Sequence, residues 1–120
     1  MTVFVKTMIT VNVFVDPEGE HRGFRISGHA GFAGEGEDIV CAAVSVLAQN
    51  TVNAIEAFTE DVFQCSVEDG FLDCSFSGTI SKETKLLLNT LLLGLESIRD
   101  SSGREDQDQD PFIRIVTEEV

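Results

Sequence analysis

Cys41 and His29 stand twelve positions apart in the segment Gly28-His29-Ala30-Gly31-Phe32-Ala33-Gly34-Glu35-Gly36-Glu37-Asp38-Ile39-Val40-Cys41-Ala42-Ala43-Val44-Ser45. A thiol attacks as the thiolate, and a neighbouring imidazole can take its proton and later return it to a leaving group. The pair is therefore suited to covalent catalysis, with His29 at one end of a glycine-rich loop and Cys41 at the other. The run from Asp38 onward reads as the first turns of a helix, which would set Cys41 near open backbone N–H groups and the positive end of the helix dipole. Glu35, Glu37 and Asp38 oppose this, since nearby negative charge raises a thiol pKa unless a charged His29 or the helix terminus outweighs it. Ser45 lies one turn beyond Cys41 on the same face, where it either orients the site or bonds back to its own helix.

Structural readings of the same residues stand beside the chemical one. A cysteine and a histidine at this spacing are more often structural than catalytic, and Asp38 is a natural N-cap, worth about 1 kcal/mol to a helix. A metal site built from His21, His29, Cys41 and a carboxylate lacks any paired-ligand spacing, so no metal or cofactor is expected, and His21 reads as a surface residue.

The elements that must carry these residues are legible from periodicity. Ile9, Val11, Val13 and Val15 alternate with Thr10, Asn12, Phe14 and Asp16, as in a strand with one apolar face, and Asp16-Pro17-Glu18-Gly19-Glu20 turns the chain. A second strand with Phe24 and Ile26 on one face and Arg25 and Ser27 on the other ends at Gly28 and His29, a rigid mount for the imidazole. A first helix is expected from Asp38, its cap, to about Thr59, leaving Ala30 to Glu37 as a flexible lid. Val62 to Ser77 reads as a hairpin about Asp69-Gly70, pairing Val67 with Leu72, Cys65 with Cys74 and Phe63 with Phe76 on one apolar face. The two facing cysteines are expected to be buried and reduced, although a cross-strand disulfide is geometrically possible.

Ser81 starts a second helix whose leucines, Leu86 to Leu88, Leu91 to Leu93 and Leu95, spread too widely for one buried face. A second subunit is the economical cover, so a homodimer is expected, with a thick core as the other reading. Ser101 to Asp110 reads as a polar, acidic, mobile loop and Phe112 to Thr117 as a closing strand. The order β-β-α-β-β-α-β is an α+β fold, a mixed sheet with two helices packed on it, in one domain spanning residues 1–120.

With 21 acidic residues against 8 Lys plus Arg, the formal charge is −13. Proteins that neutralise phosphates present basic patches, so nucleic acid is a poor partner, whereas a basic peptide would be attracted. No basic N-terminal region precedes an apolar run, and no stretch reaches the roughly 18 apolar residues of a membrane span. A cytoplasmic protein without membrane contact is expected, and its three cysteines, an odd number, favour reduced thiols.

The run from Gly28 to Ala33, Gly36, and Asp38 to Ser45 closely resembles the signature of the ribosomal-processing cysteine protease family, Prp. The element order, the Asp-Gly hairpin and the Gly94-Leu95 pair in the second helix resemble that family as well. The resemblance implies a homodimeric, cytoplasmic bacterial endopeptidase that removes a short N-terminal extension from large-subunit ribosomal protein number twenty-seven. It assigns Cys41 as nucleophile and His29 as general base, with Gly28 allowing close approach of the chain, Asp38 capping the helix and Ser45 supporting the site. Oxyanion donors would be backbone N–H groups at the helix start, and an apolar pocket is implied because cleavage in the family follows two aromatic residues. The other readings are a non-catalytic dimeric module that binds a basic ribosomal protein or peptide, and a thiol redox sensor.

Overall fold

The computed structural model describes residues 9–28, 35–68, 71–101 and 113–120. Five strands and two helices follow in the order β1 (Ile9–Val15), β2 (His21–Ser27), α1 (Glu35–Phe58), β3 (Val62–Glu68), β4 (Phe71–Ser77), α2 (Lys82–Ser101) and β5 (Ile113–Glu119). The strands form one mixed sheet in the order β3-β4-β2-β1-β5, antiparallel except where β5 runs parallel to β1. Both helices pack on this sheet, so the expected α+β architecture is the one observed. No helix among the described residues is long and apolar enough to cross a membrane.

Period-two alternation sorts the sheet into two faces. Ile9, Val11, Val13, Phe24, Ile26, Leu72, Cys74 and Phe76 point toward the helices and are buried. Val40, Val44, Ala48 and Ile55 of α1, Leu88, Leu91 and Leu95 of α2, Ile113 of β5, and Ile80 complete the core. Between β1 and β2 the Asp16 carboxylate accepts the N–H groups of Glu18 and Glu20, each at 2.9 Å, while Gly19 takes a φ of 82°. Two glycines admit close approach. A Cβ at Gly23 would run into the Cys74 carbonyl oxygen on β4, and one at Gly94 would stand 3.0 Å from Leu47 Cδ1, where α2 crosses α1.

The hairpin register agrees with the sequence, with Phe63 opposite Phe76, Cys65 opposite Cys74 and Val67 opposite Leu72. Its turn, Asp69-Gly70, lies outside the described residues, as do the acidic stretch 102–110 and Phe112. Two features of the hairpin differ from expectation. Cys65 and Cys74 form a disulfide rather than two reduced thiols, their Cα atoms 4.1 Å apart as in the close pairs of an antiparallel ladder. β3 is also an edge strand that leaves the core toward its end, so Val67 is exposed rather than buried against the helices.

α1 begins three residues before the expected cap. Glu35, Glu37 and Asp38 all fall in its first turns, where negative charge is favoured by the helix dipole, so Asp38 lies inside the helix and not ahead of it. α2 begins at Lys82, and Ser81, from which the helix was expected to start, caps it. Ser81 Oγ accepts the N–H of Thr84 at 3.2 Å, and Asp61 from the other end of the β3 connection accepts the Ser81 N–H at 2.8 Å, the Ser81 hydroxyl at 2.7 Å and the buried Thr84 hydroxyl. Leu86 and Leu93 face solvent on the side of α2 away from the core.

Candidate active site

β2 delivers the chain to Gly28, which adopts a φ of 90° and is exposed at the strand end. A side chain would be strained in that conformation, so glycine suits the position immediately before His29. His29 itself lies outside the described residues, together with Ala30 to Gly34. Of the expected lid, Glu35, Gly36 and Glu37 belong to α1.

Cys41 is half-buried and packs on the hydrophobic core from α1. It is the seventh residue of the helix, two turns in rather than at the terminus. In helical geometry its N–H is committed to the carbonyl four residues back, and the dipole's influence fades beyond the first turn. The sequence-level argument for a thiolate stabilised by open N–H groups therefore loses force, and a neighbouring base becomes the more effective activator. Ser45, half-buried, follows one turn later on the same face. From Ile39 to Ile55 the chain has no charged residue, while Glu37 and Asp38 precede Cys41 by four and three positions in the same helix.

The disulfide bears on the site by elimination. With Cys65 bonded to Cys74, Cys41 is the remaining cysteine of the chain. Among the described residues, no three His, Cys, Asp or Glu side chains gather closely enough to hold a metal ion. His21, read from sequence as a surface residue, is half-buried at the start of β2 with Nε2 3.3 Å from Asn89 Oδ1 on α2, so it ties sheet to helix. The Asp61 clasp on α2 went unread in the sequence. Its only signal there was the Ser-x-x-Thr start of the helix, because the carboxylate comes from twenty residues away.

Comparison with known proteins agrees with this architecture. The sequence profile described as "Cysteine protease Prp" matches residues 8–106. The ribosomal processing cysteine protease Prp of Staphylococcus aureus is 34% identical over 95 residues, covering 78% of this chain and 90% of that protein. Its Bacillus subtilis counterpart is 30% identical over 81 residues, covering 62% and 72%. A crystal structure of the S. aureus protease with a covalently linked product peptide superposes with a TM-score of 0.77 at 30% identity, covering 92% of this chain and all of that one. A Streptococcus mutans protein superposes with a TM-score of 0.72 at 28% identity, covering 95% and 97%. By profile, sequence and fold, the chain belongs to the Prp family of cysteine proteases.

Proposed function

We propose that this protein is a cytoplasmic, homodimeric endopeptidase that removes an N-terminal extension from a large-subunit ribosomal protein, number twenty-seven, with Cys41 as nucleophile and His29 as general base. The observation that carries the assignment is that Cys41 is the one cysteine outside the Cys65–Cys74 disulfide, half-buried on α1 within the stretch that the family profile matches. The substrate class follows the relatives, which are named for ribosomal processing.

In this reading His29 takes the Cys41 proton and the thiolate sulfur attacks the scissile carbonyl carbon. The imidazolium then protonates the amine as the C–N bond breaks, leaving a thioester on Cys41. A water molecule, deprotonated by His29, attacks the thioester and releases the carboxylate product with the thiol restored. Gly28 sets the turn that presents His29, Ser45 supports Cys41 from one turn below, and Asp38 holds the first turns of α1 that follow the loop.

A peptide spanning the extension, incubated with wild type, Cys41→Ala and His29→Ala, tests the assignment. Wild type should cut, and each variant should lose on the order of 10⁴-fold or more in rate. Cleavage by both variants at the wild-type rate would remove the dyad. An intact peptide in every sample, with binding retained, would favour the non-catalytic module.

A further inference from the structure

β3 is an outer strand of the sheet, and no hydrogen bond to another described residue lies on its free side. The Cα distance of 4.1 Å marks Cys65 and Cys74 as a non-hydrogen-bonded pair, so the backbone N–H and C=O groups of Phe63, Cys65 and Val67 point away from β4. Folded proteins blunt such an edge with lysine, proline or a bulge. β3 has none of these: it contains neither a basic residue nor proline, and its register against β4 runs one to one from Val62 to Glu68. The other edge strand, β5, carries Arg114. The disulfide pins β3 to its neighbour, so the row of open groups is held in place before anything binds. From Thr59 to Ser81 the chain has the acidic residues Glu60, Asp61, Glu68, Asp69 and Asp73 and no basic one. Asp61 is taken up by the clasp on α2, and Asp73 by Arg25 at 2.9 Å. Glu60 and Glu68, toward the two ends of β3, are exposed and pair with no cation among the described residues.

We propose that β3 is a docking edge where an extended segment of the substrate, bearing lysine and arginine, adds as a further strand of the sheet. The assignment rests on the basic ribosomal substrate proposed above. Backbone pairing supplies the affinity, and charge selects the occupant. A second copy of β3 would set Glu60 and Glu68 against like charges, whereas a basic strand meets them with opposite ones. The two sides of the strand give the partner a pattern. Phe63, Cys65 and Val67 lie on the helix side and Gln64, Ser66 and Glu68 on the open side, so apolar residues alternating with lysine or arginine fit best. Val67, 65% exposed, is the apolar contact left for such a residue. Position favours the substrate as the source. Glu68, Phe71 and Ser27 lie in one row across the sheet, at the end from which Gly28 leads to His29. An added strand would lie three strand spacings from β2, about 14 Å, which roughly four extended residues span. One part of a chain can therefore occupy the edge while another approaches the end of β2.

Fluorescence anisotropy on the full chain carrying Cys41→Ala tests the edge, with circular dichroism to confirm that each variant is folded. The probe is a labelled peptide of alternating Lys and Val, about eight residues long to match β3, with alternating Glu and Val as its control. The Lys–Val peptide should bind about tenfold or more tightly than the Glu–Val peptide, and more weakly as salt rises. Val67→Pro removes one outward N–H without breaking a bond to β4, and Gln64→Lys sets a like charge beside the partner. Each should raise the Kd about tenfold or more. Glu18→Gln, which changes the net charge as much as Gln64→Lys but lies in the β1–β2 turn, should leave it within about twofold. No binding of the Lys–Val peptide, or a Kd that both β3 variants leave unchanged, overturns the edge whatever cleavage shows. With Cys41 intact, the same two substitutions should raise KM about tenfold for a ribosomal peptide prolonged by a Lys/Arg-rich segment and leave kcat/KM for the short peptide within about twofold. Edge binding with an unmoved KM overturns the substrate as occupant. Edge binding by a chain that cuts neither peptide overturns the protease reading and leaves the edge.

Discussion

Asp61 shows how much one carboxylate can do at a distance from the chemistry. Its pKa is held below the ordinary carboxylate value, first by the Thr84 hydroxyl and then by the Ser81 N–H and hydroxyl, against the opposing effect of burial. A depressed folded-state pKa contributes stability that is complete above the unfolded value of about 3.9 and is lost as pH falls through the lower folded value. Asp61→Ala should cost about 1–3 kcal/mol in chemical denaturation at neutral pH, because the Thr84 hydroxyl and Ser81 N–H lose their acceptor. Asp61→Asn should lose part of the acid sensitivity of unfolding below about pH 4. Gly28 acts nearer the site. At its φ of 90°, Gly28→Ala should cost on the order of 1–2 kcal/mol in stability and should lower kcat/KM by more than that strain alone requires, because it redirects the chain into His29. Cys41 could be singled out as a candidate at this scale because a thiol is chemically distinctive. Asp61 was not, because its partners are assembled only by folding.

At the scale of elements, the sheet depends on how closely β2 and β4 approach. Gly23→Ala should be among the most damaging substitutions, costing about 3 kcal/mol or more, because its Cβ would meet a backbone carbonyl that cannot rotate away. The thermal midpoint measures this directly. The Cys65–Cys74 disulfide closes a separation of nine residues, which in the chain-entropy model corresponds to about 2–3 kcal/mol. Reductant should therefore lower wild-type stability by about that amount and leave Cys65→Ser/Cys74→Ser unchanged. The hairpin register needed no tertiary information, because a two-residue Asp-Gly turn with alternating flanks leaves one apolar alignment. The start of α1 did need it. Asp38 is a good cap in isolation, yet acids throughout the first turns also suit a helix that begins at Glu35.

For the whole molecule, the net charge of −13 bears on how a substrate is met. If the acidic field steers a basic substrate, kcat/KM for the ribosomal peptide should fall as salt rises from low to physiological strength, while KM for a neutral short peptide stays flat. Stopped assays across a salt series read this. A cleavage rate that is indifferent to salt would leave the −13 charge to solubility alone.

The sequence by itself determined what neighbours along the chain can specify: the seven elements, the alternating faces of β1 and β2, the hairpin pairing, and Cys41 with His29 as the residues fit for covalent chemistry. These follow from contacts two to four residues apart, or across one tight turn. Only the tertiary structure decided the strand order, with β5 laid parallel beside β1. It also decided the joining of Cys65 to Cys74, the clasp of Asp61 on α2, and which leucines of α2 the core leaves uncovered. Each of these depends on groups distant in sequence meeting in space, and their meeting is settled by how the whole apolar surface is buried at once.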